Sequence, residues 1–132
     1  MSRAAVYSLL SSSSELAALG FTGGSIYRSV SAESPEQRPF MVLRWGNETP
    51  AFGNTGTEFL TVWVYDEPGD YGRIDSALLA IRNVLTSAVQ VAGTDNKILT
   101  QADWSGNSED LYDDMFACIT KNSLYTVVSR SN

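Results

Sequence analysis

From residue 59 to residue 65 the side chains alternate along an extended chain. Phe59, Thr61, Trp63 and Tyr65 fall on one side, and Leu60, Val62 and Val64 on the other. Both rows are largely apolar and rich in β-branched and aromatic types, which predicts an interior strand covered on both faces. Asp66-Glu67-Pro68-Gly69-Asp70 then stops it, because Pro68 fixes φ and Gly69 permits a positive φ. Asp70 is placed to accept from the first free N–H groups of a following helix. In that helix Ile74, Leu78, Ile81 and Leu85 recur on one side, with Ala77, Val84 and Ala88 beside them. This is one apolar stripe of a 3.6-residue period, and a helix so close in sequence folds back to bury it on the sheet.

The flanking segments follow the same logic. Residues 2–19 read as helical, with Ser2 able to cap, Val6, Leu9, Leu10, Leu16 and Leu19 on one side, and Gly20 as the left-handed residue after the end. The serine run at 11–14 predicts a solvent face and a break between two short pieces, since serine competes for backbone hydrogen bonds within helices. Gly23-Gly24 is a turn, 25–29 a short strand, the polar, proline-containing 31–39 a loop, and 40–45 a strand. Residues 46–56, with three glycines and a proline, predict a projecting loop, mobile in the isolated protein. Downstream, 93–96 is a turn, 98–104 a strand and 105–114 a polar, acidic stretch. Residues 115–120 and 124–129 form either a hairpin or one long bulged strand. The order predicts one domain over residues 1–132, an α+β fold with a mostly antiparallel sheet and two main helices packed on one face.

Composition narrows the function. The chain has 132 residues, 43% of them apolar, enough for a core of its own. It contains no apolar run long enough to span a membrane and no signal-like start, so synthesis is expected in a cytoplasm, with no membrane partner. Fifteen acids against nine bases give a net charge of −6, which argues against binding nucleic acid by neutralising phosphates. It leaves room for a protein that DNA slides past. There is no histidine and only one cysteine, Cys118. A histidine-based triad, a histidine-containing zinc site and an all-cysteine metal site are therefore excluded, and acid–base work would have to rest on carboxylates, lysine or tyrosine.

Two acidic groups stand out: Asp66, Glu67 and Asp70, and then Glu109, Asp110, Asp113 and Asp114. Neither has the spacing of an EF-hand loop, and solvated turns and caps account for both more simply than a metal or a carboxylate pair. No Gly-rich phosphate loop and no nucleophile elbow occurs. A Ser–Lys pair through Lys97 or Lys121 is formally open. Most of Trp45, Trp63, Trp104, Tyr65, Tyr71 and Tyr125 fall in strands at core-like positions, and Cys118 reads as buried and inert. No metal and no cofactor is expected.

The run Leu60-Thr-Val-Trp-Val-Tyr-Asp, the segment Gly69-Asp-Tyr-Gly-Arg-Ile-Asp and the helix after it resemble the tail terminator proteins of long-tailed, non-contractile bacteriophages, notably those of actinobacteria. The likeness extends through Ser108-Glu-Asp-Leu-Tyr-Asp-Asp to Ile119-Thr-Lys and the strand through Val127-Val128. Lys121 departs from it, since arginine is expected there. The resemblance implies a non-enzymatic virion subunit, made in the host cytoplasm, that closes into a ring, a hexamer, on the head-proximal end of the tail. Such a ring stops growth of the tail tube protein, meets the head–tail connector or stopper protein, and lets DNA through its bore without specific binding. The contacts expected between subunits or to ring neighbours are Glu48, Phe52 and Asn54 in the glycine-rich loop and Asp66, Glu67 and Asp70 in the acidic turn. A head–tail connector or neck protein fits the same residues. From other classes, so do a small carboxylate-dependent hydrolase using Asp110 and Asp113 and a ligand-binding module built on the aromatics.

Overall fold

In the computed structural model, which describes residues 3–28, 38–50, 55–94 and 96–131, the serine run divides the first helical stretch. Helix α1 spans Arg3–Ser11 and α2 spans Ser14–Ala18. Ser13 is the cap between them, its hydroxyl oxygen accepting from the Leu16 N–H at 3.4 Å. The expected Ser2 cap lies outside the described residues. At the far end Gly20 adopts φ +100°, its N–H donating to Ala17 O at 3.1 Å, while the Phe21 N–H donates to Leu16 O at 2.9 Å. That pair of bonds satisfies two end carbonyls, and Leu16 and Phe21 close the motif by packing into the core.

Among the described residues seven strands follow: β1 (Ile26–Tyr27), β2 (Phe40–Pro50), β3 (Thr55–Asp66), β4 (Val91–Ala92), β5 (Lys97–Asn107), β6 (Leu111–Asp113) and β7 (Cys118–Ser131). They form one sheet in the order β1-β2-β3-β7-β5-β4, with β6 also paired to β7. Only β1 and β2 run parallel. Helix α3 (Gly72–Thr86) packs with α1 and α2 on one face, so the fold is α+β with its helices on one side of a mostly antiparallel sheet. β3 is central, paired to β2 and β7 along its length. Leu60, Val62 and Val64 are fully buried with Ile74, Leu78, Ile81 and Leu85 of α3, as the two periodicities require.

The second face of β3 is not covered along its whole length. Near Asp66 a small cluster closes it: Phe40, Val42, Tyr65, Phe116 and Cys118, with Phe40 stacked on Tyr65 at 4.6 Å. Further along, Phe59 is 50% exposed and its neighbour on β7, Leu124, 46%. No helix lies over these residues, and alternation alone does not distinguish a face buried by its own subunit from one left open.

One further expectation is corrected and two open readings are resolved. Residues 46–50 and 55–56 are not loop: they continue β2 and β3 as a long hairpin, pairing Glu48 with Glu58, Thr49 with Thr57 and Pro50 with Gly56 after a bulge following Trp45. The last segment is one strand beginning at Cys118, after a turn in which Ala117 has φ +53°, and it is not a hairpin. The irregularities lie opposite it, where β5 shifts register between Leu99 and Gln101 and between Trp104 and Gly106. Part of the acidic stretch 105–114 is also sheet, forming the end of β5 and all of β6.

Candidate assembly interface

The acidic turn at the end of β3 is paired rather than free. Arg73 Nε stands 3.4 Å from Asp66 Oδ2, and Arg38 Nη1 stands 3.7 Å from Glu67 Oε1. Arg38 also donates to Phe116 O at 3.0 Å, tying the turn to the aromatic cluster. Asp70 Oδ1 accepts from Gly72 N–H at 2.9 Å, so it serves the first turn of α3 as expected, although Tyr71 occupies the cap position itself. These residues line a cleft of about 420 Å³ in which three carboxylates face two guanidinium groups. Glu48 is exposed on the β2 arm of the hairpin, and Phe52 and Asn54 lie outside the described residues. Asp66 and Glu48 sit toward opposite ends of β3, on the order of 25 Å apart at about 3.3 Å per strand residue. The expected contact residues therefore belong to two separate surfaces.

The second acidic group forms a tongue on β6 and the turn after it. Tyr71 Oη donates to Leu111 O at 2.7 Å, and Lys121 Nζ reaches Asp75 Oδ1 at 2.8 Å and Asp110 Oδ1 at 3.5 Å. Ser108 and Asn122 exchange hydrogen bonds, and Asp113 Oδ1 accepts from Phe116 N–H at 3.0 Å. The tongue is thus fixed to the body, with Glu109 and Asp114 exposed and two apolar side chains uncovered, Tyr112 at 55% and Met115 at 76%.

A third feature has no single signal in the sequence. Arg3, Ala4 and Tyr7 of α1, Arg28 just after β1, and Leu43 and Trp45 of β2 line a cleft of about 300 Å³. The Arg28 guanidinium lies 4.1 Å from the Tyr7 ring centre and that of Arg3 lies 5.5 Å from the Trp45 ring. Arg3 Nη2 also donates to Glu58 Oε2 at 3.1 Å. Glu58 is only 2% exposed and its Oε1 has no hydrogen-bond partner among the described residues.

Burial and pairing shift several ionisable groups toward their protonated forms. Burial pushes Tyr65 up to about 12, with Asp113 and Cys118 adding to it. Burial likewise raises the Cys118 thiol, and the hydrogen bond that the Lys121 ammonium donates to Asp75 raises Lys121. Glu58 is raised as well, burial outweighing the Arg3 contact, but it lines neither cleft. Asp110 and Asp113 are engaged separately, by Lys121 and by a backbone N–H. Among the described residues no group of three or more acidic or cysteine side chains is arranged to hold a metal ion. Nor, among them, is any helix long and apolar enough to cross a membrane.

No family model matches the chain, and no curated protein does. Among solved structures, a chain of the virion of a native gene transfer agent (GTA) particle has the same fold. Its TM-score is 0.74 at 17% identity, and the match covers 98% of this chain and 94% of that one.

Proposed function

We propose that this chain is a structural virion protein, a tail terminator whose copies close into a ring, a hexamer, on the head-proximal end of a phage tail tube. The ring ends polymerisation of the tube and joins the tail to the head connector. The observation that carries this reading is the likeness in fold, end to end, to a chain of a gene transfer agent virion. The sheet supports it. Because β1 reaches only Met41 and Val42, β2 has no strand on its outer side over residues 43–50 among the described residues. At the opposite edge β4 reaches only Ile98 and Leu99, so residues 101–107 of β5 are likewise open. Two free edges on opposite sides of one subunit suit a head-to-tail contact that closes by rotation. The uncovered sheet face, with Phe59, Thr61, Leu124 and Thr126 flanked by Arg44 and Asp103 of opposite sign, suits a passage that neither holds nor repels DNA. The shifts at Tyr65, Cys118 and Lys121 agree with a role outside catalysis.

The test is assembly with this chain omitted. Tubes that overgrow and fail to join heads are expected. Tails of normal length that join heads would overturn the reading, and the chain found on heads lacking tails would assign it to the connector instead.

A further inference from the structure

We infer that the Arg3–Arg28 cleft of one copy receives the acidic tongue of the next, with Tyr112 and Met115 as its apolar anchors. This rests on the self-association proposed above and names the surfaces that make it. The cleft carries two guanidinium groups over aromatic rings, and among the described residues no carboxylate lines it, in a chain whose net charge is −6. The tongue carries Glu109, Asp110, Asp113 and Asp114 around two exposed apolar side chains, with Lys121 beside Asp110 and Arg38 bonded to the Phe116 carbonyl. Positive and aromatic on one side meets negative and apolar on the other, and arginine over an aromatic ring suits both carboxylates and a tyrosine or methionine side chain.

The topology puts the two features where a rotational contact needs them. The cleft borders β2, on one side of β3, and the tongue borders β7, on the other. The register sets Tyr112 opposite Ile119, which faces the helices, and Trp45 opposite Leu60, which does too. Cleft and tongue therefore open on the same face of the sheet at opposite edges. Two surfaces so placed cannot satisfy each other within one subunit, so each is left to meet its complement on a second copy. The tongue is already held by Tyr71, Lys121 and Asn122, so docking it costs little ordering.

The test is charge reversal followed by mixing. The full chain is sedimented over a range of concentrations at low ionic strength, alone and seeded with tail tube protein. Arg28→Glu in one chain, and Glu109→Lys with Asp114→Lys in another, leave the Arg3–Glu58 and Lys121 contacts in place, and circular dichroism checks the fold. Each variant alone is expected to self-associate on the order of tenfold more weakly than the unaltered chain. Mixed in equal amounts the two are expected to recover, because each cleft then faces a tongue of opposite sign. Unchanged association of the single variants, or no recovery on mixing, would overturn the assignment of these surfaces and leave the ring reading standing. An unaltered chain that stays monomeric at every concentration, seeded or not, would overturn both.

Discussion

Arg3 Nη2 stands 3.1 Å from Glu58 Oε2, joining the first helix to the central strand across 55 positions of the chain. The carboxylate is buried and the guanidinium is half in water, so the two ends of this pair are unequal. Removing the cation strands a buried charge, whereas removing the charge strands only a partly solvated arginine.

Arg3→Ala is therefore expected to destabilise by about 1–3 kcal/mol, and Glu58→Gln to be nearly neutral or mildly stabilising at neutral pH. The double variant is expected to recover most of the Arg3→Ala loss. Acid-side stability checks the cause. Glu58 is raised from 4.5, so the folded state holds its proton more tightly than the unfolded chain. Its contribution is present below 4.5, declines as pH rises through the raised value and is then level. Urea melts across that range are expected to show this slope in the unaltered protein and to lose it in Glu58→Gln.

At the alkaline end, burial raises Tyr65 and Tyr125 from 10.0 to about 12. Each phenol is held protonated in the folded state, so its contribution is complete below 10 and is lost as pH rises toward 12. Lys121, raised from 10.5 by Asp75, acts in the same direction. Tyr65→Phe is expected to flatten this decline by roughly 2 kcal/mol, read from melts through the same interval. An unaltered slope would mean the phenol is solvated in the folded protein.

Gly20→Ala places a side chain at φ +100°, with its Cβ 3.3 Å from Pro39 Cδ. A loss of about 1 kcal/mol and a Tm lower by several degrees are expected. Ala at Gly24, where φ is ordinary and the nearest atom is Thr22 Oγ1 at 4.0 Å, is the control and should change Tm far less.

Replacing residues 47–55 with a short turn shortens the β2–β3 hairpin beyond the helix-covered core, since residues 46–49 are exposed. The shortened protein is expected to keep its secondary structure and most of its Tm while failing to join tails to heads. Normal joining would remove the hairpin from the proposed interface.

The parts readable along the chain were those set by short-range periodicity. The stripe of α3, the alternation of β3, the break at Ser13 and the left-handed Gly20 each follow from residues within a few positions of one another. The hairpin arms were missed because Gly46, Asn47, Thr49 and Pro50 carry turn chemistry, while what holds them is backbone pairing to β3. Coverage of β3 was overestimated because Phe59 and Trp63 repeat with the period of a buried row while no layer buries Phe59 among the described residues. The acidic turn read as free because Arg38 and Arg73, which neutralise it, lie on other segments. The cleft draws Arg3, Tyr7, Arg28 and Trp45 from three separate elements, so only the folded topology assembles it.

β7 comes after every other strand in the chain, yet it lies between β3 and β5 and pairs with both. On the ribosome the β2–β3 hairpin and β5 must wait, each with a raw side, until those fourteen residues emerge. Translation itself then sets the moment at which a subunit becomes competent, and chains cut short before that strand would be unable to enter the ring proposed above and spoil it.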